Sequence, residues 1–170
     1  MSHPLPEQLP VNEMLSAMAD SIKPMLDDTP LLVAICSGGV WVAEQLHHKL
    51  GLSEPVGLLD ITFYRDDFSR VGLNPSVHNS ALPVAIDDRH IILIDDILHT
   101  GRTVRAALNE LFAWGRPASV VLAVLLDRGD RELPLQAEII GHRISLEKHQ
   151  FVKICPKGRL TYVNRHTECE

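Results

Sequence analysis

The chain has 170 residues, of which 45% are hydrophobic and 22% charged. This length suits one compact domain, and the 10 glycines and 11 prolines are ordinary usage, which excludes collagen-like and low-complexity proteins. The formal net charge of −6 disfavours a general nucleic-acid-binding protein.

Cysteine usage and hydropathy indicate the compartment. The longest apolar run, residues 120–126, is far shorter than the roughly 20 residues of a membrane-spanning helix. The three cysteines form no C-x-x-C pair, and their odd number favours a reducing compartment. Residues 1–10 contain no Lys or Arg and no apolar core, unlike a secretory signal. We therefore expect a cytoplasmic protein with no membrane partner.

Charge is distributed unevenly along the chain. Residues 1–142 carry ten basic and nineteen acidic side chains, whereas residues 143–170 carry six basic and three acidic ones. The basic end is either a solvated terminal region or a surface for an anionic partner.

In chain order, the hydropathy pattern alternates between helices and strands. Apolar residues at three- and four-residue steps predict an amphipathic helix over residues 11–26, ending near 24–30. A continuous apolar run then predicts a strand, followed by a glycine-rich turn and a second helix. The same alternation of strands and helices recurs along the chain. We predict strands over 31–36, 56–63, 90–94 and 119–126, and helices over 40–50 and 103–114.

Strands that are apolar on both faces and alternate with helices indicate a mostly parallel sheet covered on both sides. We therefore predict a doubly wound α/β fold. Ligands in such sheets bind beyond the carboxyl ends of the strands, so the loops after residues 36, 63, 94 and 126 are the candidate site. Residues 64–83 have no sustained periodicity, and a stretch of about 20 such residues is typical of a mobile functional loop.

The most informative stretch follows the strand at 90–94. Asp95 and Asp96 can accept hydrogen bonds from vicinal hydroxyls or from water on Mg²⁺. The unpaired N–H groups at the start of the next helix lie at the positive end of its dipole and can bind phosphate. Together these features suit a ribose 5-phosphate, with the phosphate held by Thr100, Gly101, Arg102 and Thr103.

One simpler interpretation exists for this stretch: Asp95 and Asp96 merely cap a helix, and residues 100–103 form a plain turn. Capping requires one carboxylate rather than two. Neither G-x-x-x-x-G-K-[ST] nor G-x-G-x-x-G occurs, which disfavours nucleotide hydrolysis and dinucleotide redox chemistry.

Residues 92–103 resemble the phosphoribosyl pyrophosphate signature of type I phosphoribosyltransferases. Together with residues 59–67, 115–118 and 126–134, the stretch 100–107 is similar to the family of bacterial pyrimidine operon regulators with uracil phosphoribosyltransferase activity. The resemblance covers about residues 30–145. It implies one domain over 1–170, with a mostly parallel twisted sheet, helices on both faces and a small hood.

The resemblance also implies a reaction and its parts. Uracil and phosphoribosyl pyrophosphate would give UMP and pyrophosphate, with Mg²⁺ as cofactor held through water by Asp95 and Asp96. Arg65 would bind the leaving pyrophosphate as its loop closes. His99 would shuttle the uracil proton, unless it is a polar loop residue without a chemical role. Backbone groups would hold pyrophosphate at Ser37, Gly38 and Gly39, and would border uracil at Asp127, Arg128 and Gly129.

The chain departs from the family pattern at three places. Gly38 stands where the family usually carries Arg, which removes a charged contact to pyrophosphate. The first predicted helix has one basic residue, Lys23, so the RNA-contacting arginines expected there are missing. Residues 150–170 also do not follow the family pattern.

Three functions therefore stay open. The first is the uracil transferase. The second is a non-catalytic regulator that senses UMP and binds pyrimidine operon leader RNA. The third is a phosphoacceptor receiver domain with Asp60, Asp95 and Asp96 in an acidic pocket, although such a domain has no need of the phosphate cradle. Trp114 and the resemblance both favour a homodimer or a higher homo-oligomer.

Overall fold

A parallel β-sheet with helices on both faces carries the fold. The computed structural model describes residues 9–36, 38–61, 80–146, 150–155 and 158–164. Its helices are α1 (Val11–Ile22), α2 (Gly38–Leu50) and α3 (Arg102–Trp114), with a 3-10 helix over Lys23–Asp28. Its strands are β1 (Leu31–Ile35), β2 (Gly57–Leu59), β3 (His90–Leu98), β4 (Ser119–Asp127), β5 (Ile139–Arg143), β6 (Gln150–Cys155) and β7 (Arg159–Asn164).

The strand order places one switch point in the sheet. Five strands pair in parallel in the order β2-β1-β3-β4-β5. The chain moves from β1 outward to β2 and then returns to the other side of β1 to form β3, so the order reverses between β1 and β3. Ligands bind at such a point, and Ala34 with Ile94, the last residue pair between β1 and β3, lies beside it. The predicted doubly wound fold is confirmed.

Alternating strand side chains build a core on each face of the sheet. Leu32 and Ala34 of β1 pack with α1 and α2 on one face. Leu31 and Val33 pack with α3 on the other. All five residues of β1 are buried, as expected of a central parallel strand.

Several predicted boundaries were wrong. The first helix ends at Ile22 and a 3-10 helix follows, because Pro24 has no N–H to continue α-helical hydrogen bonding. The third strand continues from Ile94 to Leu98, since it keeps pairing with β4 as far as Leu98 opposite Asp127. The strand predicted over 56–63 is shorter in the structure, where β2 spans Gly57–Leu59. Residues 62 and 63 lie outside the described part of the chain. We did not predict β5, β6 or β7.

The antiparallel hairpin of β6 and β7 forms a separate two-stranded sheet. Its residues Val152, Ile154 and Leu160 pack on the α1 and α2 side of the core. Its turn at Gly158 lies against the ring of Trp41 on α2. The small hood that the resemblance implies stays a prediction. Within the described ranges, no helix is long and apolar enough to span a bilayer.

Candidate functional site

The loop after β1 lies directly against the end of β3. A Cβ added to Gly38 would lie 2.8 Å from Oδ1 of Asp96 and closer still to Oδ2. A Cβ added to Gly39 would lie 2.5 Å from the carbonyl oxygen of Ile94. At Gly39 only glycine permits this approach to the backbone, whereas at Gly38 a side chain would require the Asp96 carboxylate to move. The structure therefore brings the predicted pyrophosphate loop and the predicted carboxylates together, whereas Ser37 lies outside the described residues.

Each carboxylate at the end of β3 is oriented by the next peptide group. Asp95 is 5% exposed, and its Oδ1 accepts the N–H of Asp96 at 2.9 Å. Oδ1 of half-buried Asp96 accepts the N–H of Ile97 at 2.8 Å. Such local hydrogen bonds help to orient both carboxylates. Among the described residues, no group of three or more His, Cys, Asp or Glu side chains is placed to hold a metal ion.

The predicted phosphate cradle lies where β3 passes into α3. Gly101 precedes the helix with φ of 91°, a left-handed conformation that favours glycine. Oγ1 of Thr100 accepts the N–H of Arg102 at 3.3 Å, and the Gly101 carbonyl accepts the N–H of Arg105 at 2.9 Å. The first-turn N–H groups, including that of Thr103, have no partner within an α-helix, as a phosphate site requires.

The side chain of Arg102 turns toward the next loop. Its Nε donates to Oε2 of Glu132 at 2.6 Å, with about half of each side chain exposed. An exposed pair of this kind contributes little stability. Arg102 is therefore placed beside the cradle by an ion pair that a phosphate can compete with.

His99 lies between the carboxylates and the cradle and is half-buried. Burial lowers its pKa, and the positive charge of Arg128 lowers it further, whereas Asp130 and Glu132 act in the opposite direction. The net effect keeps the imidazole neutral near pH 7. A neutral imidazole can accept a proton, as the predicted shuttle requires.

The candidate base loop begins where β4 ends at Asp127. Oδ1 of Asp127 accepts the N–H of Gly129 at 3.0 Å and Nη2 of Arg131 at 2.6 Å. Burial alone would raise the pKa of Asp127, but these donors and the charges of Arg131 and Arg143 outweigh it, so that pKa is lowered. The carboxylate therefore stays charged and shapes the loop.

Arg128 is the buried cation of this loop, with 6% of its surface exposed. The backbone N–H of Arg128 donates to the carbonyl of Leu98 at 3.0 Å. In its side chain, Nη1 lies 3.4 Å from the carbonyl oxygen of Gln150. The guanidinium lies 5.7 Å from the ring centroid of Phe151, within the range of a cation–π contact. Nε is buried and has no hydrogen-bond partner among the described residues. The contacts with Gln150 and Phe151 therefore hold the Arg128 side chain between the base loop and β6.

Arg131 lies in the motif at residues 126–134, and the sequence alone assigns it no role. Its guanidinium donates to Asp127 and to backbone carbonyls of both neighbouring loops. The four-residue spacing from Asp127, across a turn at Gly129, is the one signal in the sequence. The predicted pyrophosphate ligand Arg65 lies outside the described residues.

Comparison with known proteins gives a consistent result. Residues 12–153 match the family model described as "Phosphoribosyl transferase domain". "Bifunctional protein PyrR" of Nitrosococcus oceani is 47% identical over 160 residues, which cover 91% of this chain and 90% of the relative. The protein of the same name from Pseudomonas paraeruginosa is 51% identical over 146 residues, covering 84% and 86%.

Solved structures share the fold at lower identity. A hypoxanthine phosphoribosyltransferase from Staphylococcus aureus has a TM-score of 0.62 and 21% identity, covering 87% of this chain and 81% of the other. A hypoxanthine-guanine phosphoribosyltransferase from Bacillus anthracis has a TM-score of 0.64 and 18% identity, covering 84% and 86%. At these identities the likeness concerns the fold alone.

Proposed function

Because the chain belongs to the phosphoribosyl transferase domain family, we propose that it transfers ribose 5-phosphate from phosphoribosyl pyrophosphate to uracil, which yields UMP and pyrophosphate. The observation that carries this proposal is the packing of Gly38 against Asp96. From Asp96 the chain continues through His99 into the phosphate cradle at the start of α3. One continuous surface thus offers groups for pyrophosphate, ribose and phosphate.

The carboxylates of Asp95 and Asp96 bind the ribose side of the substrate. Magnesium usually keeps several waters and binds through one or two carboxylates together with substrate phosphates, which fits this pair. When bound, Mg²⁺ neutralises charge that develops on the leaving pyrophosphate. The carboxylates themselves accept hydrogen bonds from ribose hydroxyls and stabilise the positive charge that develops on the sugar.

The two ends of phosphoribosyl pyrophosphate are held by backbone donors and hydroxyls. Thr100, Gly101, Arg102 and Thr103 bind the 5-phosphate through the start of α3. The loop of Ser37, Gly38 and Gly39 binds pyrophosphate, and we propose that Arg65 joins it when its loop closes.

Uracil lies over the loop of Asp127, Arg128 and Gly129. Main-chain groups of this loop read the edge of uracil, and the carboxylate of Asp127 shapes the loop by accepting the N–H of Gly129. The neutral imidazole of His99 takes the proton that the ring nitrogen of uracil loses as that nitrogen bonds to C1′ of the ribose.

The proposal is tested by product analysis with a panel of bases. The purified protein is incubated with phosphoribosyl pyrophosphate, Mg²⁺ and one base at a time: uracil, cytosine, guanine or hypoxanthine. We expect UMP from uracil and no nucleotide from the others. A purine nucleotide as the main product would contradict the uracil assignment, and no product from any base would contradict the enzyme.

We propose a second activity, uridine-nucleotide-responsive binding of pyrimidine operon leader RNA, because two close relatives are named "bifunctional". Exposed basic side chains lie on β5, β6 and β7 at Arg143, Lys153 and Arg159. Contacts to RNA phosphates release counterions, so affinity should fall steeply with salt. Filter binding with and without UMP tests this activity, and binding that ignores both salt and UMP would contradict it.

We also propose that the chain is a single phosphoribosyltransferase domain that works in the cytoplasm as a homo-oligomer. Phe112 and Trp114 on α3 are 44% and 47% exposed, and exposed aromatic side chains are enriched at protein interfaces. Light scattering coupled to gel filtration should give a mass of at least two chains. A monomeric mass at micromolar concentration would contradict the oligomer.

A further inference from the structure

The side chain of Arg131 connects two loops of the candidate site. Nη1 donates to the carbonyl of His99 at 2.8 Å and to that of Gly129 at 3.1 Å. Nη1 also lies 3.4 Å from the carbonyl of Leu98, and Nη2 forms the ion pair with Asp127 at 2.6 Å. Its own segment is held as well, since Nε donates to the carbonyl of Leu135 at 3.0 Å.

The acceptors of Arg131 belong to the two halves of the site. Leu98 and His99 immediately precede the phosphate cradle, whereas Asp127 and Gly129 form the base loop. The Arg131 side chain is 19% exposed and that of Asp127 is 13% exposed. Water therefore competes little for these hydrogen bonds, which are charge-assisted and stronger than neutral ones.

The backbone after Arg131 continues the same connection. The N–H groups of Glu132 and Leu133 donate to the carbonyl of Thr100 at 3.0 and 3.2 Å. Leu133 and Leu135 also lie within 3.6 Å of the position that a Cβ on Gly101 would take. The segment that Arg131 anchors thus forms the wall behind the cradle.

We propose that Arg131 is a positioning residue that fixes the base loop relative to the phosphate cradle, so that uracil and the ribose phosphate meet in the correct geometry. This inference rests on the proposed transferase function. Its planar guanidinium presents five N–H donors in a fixed fork, and here it serves carbonyls on both sides. Lysine has one nitrogen and cannot span them.

Misplacement of reacting groups by about 1 Å can cost on the order of a hundredfold in rate. Replacing Arg131 should therefore lower kcat and weaken the binding of every ligand that touches both loops. We expect Arg131→Met to raise the KM for uracil and for phosphoribosyl pyrophosphate by about tenfold each, which is about 1.4 kcal/mol per substrate. Arg131→Lys should recover a minor part, because it keeps only the charge beside Asp127.

Arg89 offers a matched control. Its guanidinium also makes an ion pair, with Glu54 at 2.6 Å, and donates to the carbonyl of Thr29 at 3.0 Å. It precedes β3 at the amino end of the sheet, away from the site. Arg89→Met should lower the melting temperature and leave both KM values unchanged.

The experiment measures KM, kcat and melting temperature for the wild type, both Arg131 variants and Arg89→Met, together with UMP affinity by titration calorimetry. Higher KM values and about tenfold weaker UMP binding in Arg131→Met, only partly restored in Arg131→Lys and absent in Arg89→Met, would support the positioning role. Equal kinetic changes in Arg131→Met and Arg89→Met, or unchanged kcat, KM and UMP affinity in Arg131→Met, would overturn it. A wild type without turnover would refute the proposed transferase, and UMP affinity would then still decide the role of Arg131.

Discussion

Replacing Gly38 by alanine tests whether the pyrophosphate loop and the carboxylate pair form one site. Ordinary van der Waals contact needs 3.4–4 Å, but the new methyl group would lie 2.8 Å from Oδ1 of Asp96 and closer to Oδ2. The methyl group is held by the backbone at the start of α2, so the Asp96 side chain must turn away.

The size of the effect follows from what Asp96 loses. Turning away breaks the hydrogen bond from the N–H of Ile97 to Oδ1, now 2.8 Å long. A hydrogen bond to a charged group contributes about 1.5–3 kcal/mol, and 1.4 kcal/mol corresponds to about tenfold in an equilibrium constant. We therefore expect kcat/KM for phosphoribosyl pyrophosphate to fall by about ten- to hundredfold in Gly38→Ala.

Gly51→Ala is the control for this variant. Gly51 has φ of 63°, and a Cβ there would meet nothing within 4 Å. That change should cost about 1 kcal/mol of stability from backbone strain and leave kcat/KM unchanged. Initial-rate assays of both variants at several phosphoribosyl pyrophosphate concentrations make the comparison. Wild-type kinetics in Gly38→Ala would refute the reasoning, because the site would then tolerate a displaced Asp96.

Three further substitutions test the cradle and the environment of His99. Thr103→Val should weaken UMP binding by about 1 kcal/mol, the contribution of one hydrogen bond; equal affinity by calorimetry would remove Thr103 from the phosphate site. Gly101→Ala should lower the free energy of unfolding by about 1–2 kcal/mol, because φ is 91° there; an unchanged urea midpoint would contradict this. The pKa of His99 is lower in the folded state than in the unfolded state. Its contribution to the free energy of unfolding is therefore fully present above the ordinary histidine pKa of about 6.5 and is lost as pH falls through the pKa of the folded state. Urea unfolding between about pH 7 and 5 should show a smaller loss in His99→Gln than in the wild type, and an identical loss would refute this origin.

The sequence could predict the central part of the fold and site because local signals and burial agree there. Residues 31–35 and 91–94 are continuous apolar runs that lie fully buried in the sheet. Glycine-rich or hydroxyl-rich turns follow both runs, and helices follow the turns. In a doubly wound sheet this arrangement brings the two turns to one edge, which is where Gly38 and Asp96 meet.

Other elements gave weak local signals. β5 contains only two strongly apolar residues, Ile139 and Ile140, before Gly141. Its extended conformation is stabilised by hydrogen bonding to β4, which the local sequence does not indicate. The polar pair Asp95 and Asp96 suggested that β3 had ended, yet pairing with β4 extends the strand to Leu98.

The role of Arg131 was beyond sequence reasoning for a different reason. Its acceptors at His99 and Leu98 are more than thirty residues away in the chain. An arginine in a charged loop usually points to solvent, and only the folded structure shows that backbone carbonyls surround this one. The burial of Arg128 could not be predicted for a similar reason, because its contacts lie on the β6–β7 hairpin, which the sequence did not predict.

The most direct test of the transferase is Mg²⁺-dependent formation of UMP from uracil and phosphoribosyl pyrophosphate, measured for the wild type and for Asp95→Asn combined with Asp96→Asn. The account predicts turnover by the wild type that requires Mg²⁺ and is abolished in the double variant, whose melting temperature stays close to that of the wild type. Equal turnover by the double variant would contradict the role of the carboxylates. Absence of turnover in the wild type, with UMP still raising its melting temperature, would contradict the enzyme and leave a nucleotide sensor.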